Sequence, residues 1–388
     1  MMHSSKKVYL FSLLVNILIL QSLHAQIELY NTHWEGAIVR NSSVQRIEFD
    51  WKTLGDSLIG FYSIPELGLY NQAVTDIRYD HPKLSFKFIY GTFEMRVHDD
   101  NMEMTGENAK WSPPVTLHLK QAVESKRSFT IEEIQFRNKE IILAGSLFLP
   151  VGAEPCPAIL IIHGSGSGSR KEWTYNFWGY FFAQQGIAAL IYDKRGTGES
   201  IGDLDRASFY DLADDAIAGV EYLKSRKEIA KEHIGLSGLS QGGWLAPLAA
   251  SKTKDVSFLI LNVAPAVSVS KQEIDRVVYT LRAKGYPEKD VELAKEYTEK
   301  MFQVAYNYGK IDEMKSLIDS VKNKEWVDVL NLVQSEADLQ DWRLEKYDPT
   351  YVLKKTTIPV YVSYGEKDNS VPPEENAILM TLLIKSPI

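Results

Sequence analysis

The run Leu236-Ser237-Gly238-Leu239-Ser240-Gln241-Gly242-Gly243 decides how the rest of this 388-residue sequence is read. A short apolar run, residues 234–239, leads into it, and a helical pattern, residues 241–250, leads out of it. A G-x-S-x-G between a strand and a helix makes a turn sharp enough to strain the serine backbone. A side chain at either glycine position would collide with a neighbouring strand or helix. The Ser240 hydroxyl then projects above the sheet beside a helix N-terminus, where the backbone N–H of Gln241 can donate to an oxyanion. The pentapeptide occurs twice. Gly198-Glu199-Ser200-Ile201-Gly202 also matches, but it follows a glycine-rich loop and leads into Asp203-Leu204-Asp205 with no helix start behind it. Context selects Ser240 and reads Ser200 as a loop residue.

Outward from that turn, strands alternate with helical patterns from residue 127 onward. Residues 128–136 and 141–150 read as strands joined by a turn at Asn138-Lys139, and 157–164 (PAILIIHG) is continuously apolar, as in a strand buried on both faces. A helix over 173–185 is followed by a strand over 187–193. An amphipathic helix over 209–227 has Leu212, Ala216, Val220 and Leu223 on one face, and a further strand covers 256–262. The alternation predicts an α/β fold with a mostly parallel sheet, in which ligands collect at the carboxyl ends of the strands. One such end carries His163-Gly164-Ser165-Gly166-Ser167-Gly168. Its exposed N–H groups, that of Ser165 among them, suit the second half of an oxyanion site. A phosphate loop needs Gly-Lys-Ser/Thr where Ser169-Arg170-Lys171 stands, and a dinucleotide fingerprint from Gly164 needs glycine where Ser169 stands. His163 reads as shaping the loop, and Asp193-Lys194-Arg195-Gly196-Thr197-Gly198 as a loop-bracing turn.

Residues 268–346 interrupt the alternation. They are rich in Lys, Glu and Asp, with helical spacing through Ile274, Val277, Val278 and Leu281, again over 291–306, and over 311–333. An inserted helical cap of this kind shapes a pocket and excludes water. Its aromatics Tyr297, Phe302, Tyr306 and Trp326 read as cap core rather than substrate contacts. Residues 358–364 (IPVYVSY) resume the sheet, and a helix after Pro373 runs to about residue 384.

Ahead of residue 125 the pattern has period two. Ile47, Phe49 and Trp51 alternate with polar residues, as do Leu84, Phe86 and Phe88, then Phe93, Met95 and Val97, then Val115, Leu117 and Leu119. That is the mark of an antiparallel meander, a small barrel or sandwich over residues 26–125. Gly36, Gly60, Gly91 and Gly106 are expected at bends or bulges. His33, His81, His98 and His118 stand singly, in surface or turn roles, and the segment reads as a support or binding domain. At the N-terminus, Lys6 and Lys7 precede a 13-residue apolar stretch and then Ala25. This is a signal-peptide pattern over residues 1–25, too short for a bilayer span, and it predicts export to the periplasm or the extracellular space.

Composition closes several other routes. Acidic residues outnumber basic ones by 51 to 43, a net charge of −8, which disfavours a nucleic-acid partner. Cys156 is the sole cysteine, so no intramolecular disulfide and no multi-cysteine metal site can form. No cofactor is implied, and no stable membrane span follows signal cleavage.

Taken in order and context, the His163, Asp193 and Gly238 motifs resemble the α/β-hydrolase superfamily. Residues 236–243 are similar to the serine-aminopeptidase-like and dienelactone-hydrolase-related esterases, and the β-domain looks like the lipocalin-like domain found ahead of some bacterial secreted hydrolases. The resemblance covers residues 126–388 and implies a serine nucleophile, a later carboxylate and a final histidine. Gly365-Glu366-Lys367-Asp368-Asn369-Ser370-Val371-Pro372 looks like the family's acid loop, which places the carboxylate at Asp368 with Glu366 as the rival. The expected base is missing from these residues. The last histidine is His233, seven positions before Ser240 and about 20 Å away along a strand. On this reading the sequence stops before a final strand and histidine loop, the seventh strand's edge is unpaired, and activity is weak. The resulting expectation is an exported serine hydrolase acting on small carboxylic esters. A serine peptidase for short peptides and a non-catalytic exported binding protein remain open.

Overall fold

The computed structural model describes residues 29–41, 43–100, 102–108, 110–123, 128–152, 154–166 and 168–385. The signal pattern over residues 1–25 lies outside them. The chain divides into two compact units, Met1–Lys126 and Arg127–Ile388.

The first unit is a nine-stranded antiparallel meander: β1 (Thr32–Arg40), β2 (Ser43–Leu54), β3 (Ser57–Ile64), β4 (Leu69–Ala73), β5 (Thr75–Asp80), β6 (Lys83–Phe88), β7 (Gly91–His98), β8 (Glu103–Asn108) and β9 (Val115–Ala122). The order is β4-β3-β2-β1-β9-β8-β7-β6-β5, so the two edges, β4 and β5, are joined through the single residue Val74. Laid flat, nine strands would set those edges about 38 Å apart. One residue cannot bridge that gap, so the sheet curls around its own apolar face. Strict alternation puts Ile47, Phe49 and Trp51 of β2 inside with Leu84, Phe86 and Phe88 of β6. The interior is filled by aromatic rings: Phe49 lies 5.8 Å from Trp51 and 5.2 Å from Phe86, and Phe88 lies 5.1 Å from Phe93. Each such pair adds about 0.5–1.5 kcal/mol beyond the area it buries.

Three of the four glycines serve close packing rather than bulges. Gly36 and Gly106 sit in regular register, each where a Cβ would press into a neighbouring strand's backbone, and a Cβ on Gly60 would enter the Trp51 ring. Gly91 alone turns the chain, at φ +91° between β6 and β7, and the register shifts lie elsewhere, at Tyr62/Ile64 and Thr75/Arg78. Three of the four histidines have side-chain partners, and His81 keeps the expected place in a turn. His33 is buried, with Nδ1 2.8 Å from Asp50 and Nε2 3.3 Å from Glu35, while His81 meets Asp99 at 2.9 Å and His98 meets Thr105 at 2.9 Å. Cross-strand pairing brings together residues that are far apart in sequence.

The second unit carries a seven-stranded sheet of β10 (Phe129–Asn138), β11 (Ile141–Pro150), β12 (Cys156–Ile162), β13 (Ala188–Tyr192), β14 (Ile229–Leu239), β15 (Phe258–Asn262) and β16 (Val360–Ser363). Its order is β10-β11-β13-β12-β14-β15-β16, with β13, β12, β14, β15 and β16 parallel. The crossovers are α1 (Trp173–Gln184), α2 (Phe209–Ser225) and α3 (Gly242–Lys252). Helix α2 opens on a capping box between Ser208 and Asp211. Strand β14 begins five residues before its apolar run, because Lys231, Glu232 and His233 extend it with exposed side chains. Among the described residues β16 pairs with β15 alone.

Between β15 and β16 lies the cap: α4 (Val269–Ala283), α5 (Glu288–Tyr306), α6 (Lys315–Val321) and α7 (Glu336–Leu344), around a core that includes Val277, Leu281, Tyr297, Phe302 and Trp326. The helical pattern over 311–333 is broken in the fold. After α6 the segment passes through turns over residues 322–326 and a 3-10 turn, Val327–Val329, and then has no regular structure before α7. Side chains of other helices take its backbone groups: Arg276 donates to Val329 O at 2.7 Å, and Val333 N–H donates to the Tyr297 hydroxyl at 2.8 Å. Helices α8 (Thr350–Lys355) and α9 (Pro373–Leu383) follow the cap and β16 respectively. Among the described residues no helix is long and apolar enough to cross a membrane.

Candidate active site

Strand β14 ends at Leu239, helix α3 begins at Gly242, and Ser240 sits between them at φ +52°. A non-glycine residue in the left-handed region costs on the order of 1–3 kcal/mol and persists where its surroundings impose it. Here they do. Ser240 N–H donates to Asn262 O at 3.0 Å, and Gly243 N–H donates to Ser240 O at 2.7 Å. A Cβ on Gly238 would strike the Gly242 carbonyl, one on Gly242 the Ile162 carbonyl, and one on Gly243 the Ala264 side chain. Three glycines therefore let helix, turn and neighbouring strands close around the serine. Ser200, the other G-x-S-x-G serine, is buried, accepts from Ala144 N–H and donates to Asp193 O. It is a brace, as its context predicts.

Ser240 opens on a cavity of about 1070 Å³ shared by the strand ends and the cap, with Ser165, Gln241 and Trp244 on the sheet side. Among the described residues the N–H groups of Ser165 and Gln241 have no acceptor. The cap side contributes carboxylates, among them Glu273, Asp338, Asp341 and Glu345. Glu273 is committed to Arg276 and Asp338 caps α7, while burial holds the Glu345 carboxyl up at about 6 against the pull of Lys194. The cap aromatics singled out in the sequence do not line the cavity; Tyr297, Phe302 and Trp326 are buried in the cap core.

Asp368 lies in the loop after β16. Its Oδ1 accepts from Ser370 N–H (2.8 Å) and Val371 N–H (2.9 Å), and through that turn Ser370 and Val371 reach the cavity wall. Asp368 itself is half-buried and does not line the cavity. The loop is anchored from behind. Asn376 on α9 accepts from Ala266 N–H at 2.7 Å and donates to Pro372 O at 2.9 Å.

The turn after β13 is a buried polar cluster. Asp193 accepts from Ser169 Oγ, Arg170 N–H and Glu199 N–H and pairs with the Arg170 guanidinium. Arg195 makes a two-pronged pair with Asp215 on α2, at 2.7 and 2.8 Å. Between them, Lys194 turns inward and donates to the carbonyls of Gly164 and Gly166 and to Gln241 Oε1. Burial, opposed by the charges of Glu345 and Glu172, brings its ammonium down to about 8. Reading the sequence motif as a bracing turn captured Asp193 and Arg195 but not Lys194, whose partners lie on other strand ends.

His163 is fully buried, its ring 4.2 Å from Tyr175 and 5.3 Å from Tyr192, with both ring nitrogens unpartnered among the described residues. Burial and then the charge of Lys194 lower it to about 3, so the ring is neutral at any working pH and packs beneath Gly168. His233 is exposed near the middle of β14. Neither ring is placed to serve Ser240.

Residues 153–383 match the family model described as serine aminopeptidase, S33. Esterase EstD of Thermotoga maritima is 23% identical over 346 residues, 87% of this chain and 74% of that protein. Among solved structures, Est1E of Butyrivibrio proteoclasticus with ferulic acid bound covers 65% of this chain and 86% of its own, at 19% identity and a TM-score of 0.44. Acetyl xylan esterase 1 from Thermoanaerobacterium covers 69% and 77%, at 16% identity and a TM-score of 0.43. The family match spans more than half of the chain. The chain belongs to the S33 serine aminopeptidase family of α/β-hydrolases, with an antiparallel β-domain ahead of the hydrolase fold.

Proposed function

We propose that this hydrolase is an exported serine esterase that cleaves small carboxylic esters through an acyl-Ser240 intermediate. The observation that carries the reading is Ser240 itself, held left-handed on a three-glycine turn and opening on the cavity beneath the cap. Ser240 Oγ attacks the ester carbonyl carbon, and the N–H groups of Gln241 and Ser165 receive the developing oxyanion. The alcohol departs with a proton, and water then releases the acid from Ser240. Asp368 is the candidate triad carboxylate, because its loop forms part of the cavity rim. A relative named an esterase along most of this chain supports the ester as substrate.

Among the described residues no histidine is placed to serve Ser240, and without one the proton of Oγ passes to solvent. Loss of the base costs on the order of 10⁶ in turnover, while oxyanion groups and binding retain about 10³–10⁴ over water. A serine acting without such a base is expected to give weak esterase activity. The test is hydrolysis of p-nitrophenyl acetate by the wild type and Ser240→Ala, together with labelling by a fluorophosphonate. Slow, Ser240-dependent release of p-nitrophenol is expected. Turnover at ordinary enzymatic rates would overturn the impairment, and cleavage that survives Ser240→Ala would overturn the nucleophile.

The cap carboxylates favour a second reading. Asp341 and Glu345 on the cavity wall suit a substrate with a cationic group, such as the terminal amine of a short peptide. Faster cleavage of aminoacyl p-nitroanilides than of neutral esters would select that reading.

A further inference from the structure

Lys194 is 3% exposed, in the sheet's carboxyl-end turn, and all three of its ammonium protons are donated, to Gly164 O, Gly166 O and Gln241 Oε1. With no lone pair free, it holds groups in place and does not abstract a proton. What it grips matters. The Gly164 carbonyl and the Ser165 N–H belong to one peptide unit, and in a trans peptide they point in opposite directions. A cation that draws the carbonyl to one side turns the N–H to the other, and Ser165 lines the cavity beside Ser240. The preceding peptide is pinned as well, since Gly164 N–H donates to the Tyr175 hydroxyl at 3.0 Å. The third bond ties the same ammonium to the side chain of Gln241, the residue next to the nucleophile.

We propose that Lys194 is the positioning residue of the oxyanion site, its buried ammonium aiming the Ser165 N–H over Ser240 and locking the glycine-rich loop to the nucleophile turn. The proposal rests on the serine-hydrolase reading above. It assigns to one residue the registry of two loops that meet nowhere else in sequence. The charge also has the sign that a developing oxyanion needs.

The charged groups facing Lys194 are Glu345 from the cap and Glu172 ahead of α1, and the neutral His163 ring packs against the loop it grips. Glu345 titrates near 6 and stays ionised above pH 7, so a change near pH 8 reports Lys194. Below pH 8 the ammonium is present and the loop is held; above it the proton and the grip are lost. Arginine stays charged throughout this range.

The experiment is single-turnover cleavage of p-nitrophenyl acetate by the full chain, Lys194→Met and Lys194→Arg, with Ser240→Ala as the blank. Lys194→Met is expected to slow acylation about tenfold or more at unchanged half-saturation, less than the 10²–10³ measured for losing an oxyanion donor outright. The ratio of wild-type to Lys194→Arg rates is expected to fall through pH 8, any constant packing loss cancelling in the ratio. A Lys194→Met rate equal to wild type, with the Ser240→Ala blank inactive, overturns the role of Lys194 and leaves the serine mechanism standing. Cleavage that survives Ser240→Ala overturns the serine mechanism and this proposal with it. Where Lys194→Met fails to fold, as judged by its thermal melt, the pH ratio decides, and a flat ratio overturns the proposal.

Discussion

The two units bury polar groups in opposite ways. Among the described residues of the β-unit the buried polar ones are His33 and Asn108, and the interior is otherwise Trp34, Phe49, Trp51, Phe86, Phe93 and their apolar neighbours. In the hydrolase unit His163, Arg170, Asp193, Lys194, Arg195, Asp215 and Gln241 are all buried, and most crowd the carboxyl ends of β12, β13 and β14. Buried charges are expensive unless each is paired and hydrogen-bonded, so a fold concentrates them where something is gained. In this chain the gain is a rigid frame around one strained serine. One unit is stabilised chiefly by packing; the other adds a hydrogen-bonded polar lattice around Asp193, Lys194 and Arg195.

That contrast can be broken experimentally. The largest effect is expected from Ser240→Ala, which removes the nucleophile. Fluorophosphonate labelling should be lost, and with it the Ser240-dependent part of p-nitrophenyl acetate cleavage, at unchanged or slightly raised melting temperature. Next comes Arg195→Met, which leaves Asp215 buried, 2% exposed at its side chain, without its cation. A loss of about 3–5 kcal/mol is expected in chemical denaturation, confined to the hydrolase unit. Trp51→Ala is the matching cut in the β-unit, at a cost of about 3–5 kcal/mol, and Ser240-dependent cleavage should be unchanged by it.

Smaller effects separate the titrating groups. Burial lowers the His33 pKa, but the hydrogen bonds and charges of Asp50 and Glu35 more than compensate and leave it raised above 6.5. The stabilisation from that pairing is therefore fully present below pH 6.5 and lost as pH rises through the folded value. An NMR titration of the imidazole should give a midpoint above 6.5, and Asp50→Asn should bring it down. Glu345 has the same sense at lower pH. Burial raises its carboxyl from 4.5 to about 6, so stability is lost as pH climbs between those two values and stays lower above them. Glu345→Gln should raise the melting temperature at pH 8 by more than at pH 4.5.

The β-unit was legible in sequence because most of its strands bury one face, which makes period two visible at Phe49/Trp51 and Phe86/Phe88. The turn that carries Ser240 was legible because the glycines at 238, 242 and 243 stand where any side chain would collide with a neighbour. What stayed hidden depends on partners remote in sequence. Gly36 and Gly106 answer to the strand that crosses them, which no local pattern reveals. Strand β14 starts at Ile229, but Lys231, Glu232 and His233 are exposed and polar, so the continuous apolar run begins only at Ile234. The break in the cap between 322 and 335 follows from Arg276 and Tyr297, helical residues far upstream. Lys194 gave no signal of its own, because two of its acceptors are backbone carbonyls around 30 positions earlier and the third is the Gln241 side chain, 47 positions later.

Ser240 is not the only residue held left-handed at this edge of the sheet. Val263, directly after β15, has φ +47°, and a β-branched side chain is among the least suited to that region. Glycine would relieve the backbone at either site. A lineage drifting under selection for heat tolerance alone would find both replacements open to it, and nothing in the packing would retain a hydroxyl at position 240. Serine persists there only while descendants lacking it are at a disadvantage. The residue at 240 in related genomes is therefore a record of whether turnover is still under selection, independent of any assay on a single polypeptide.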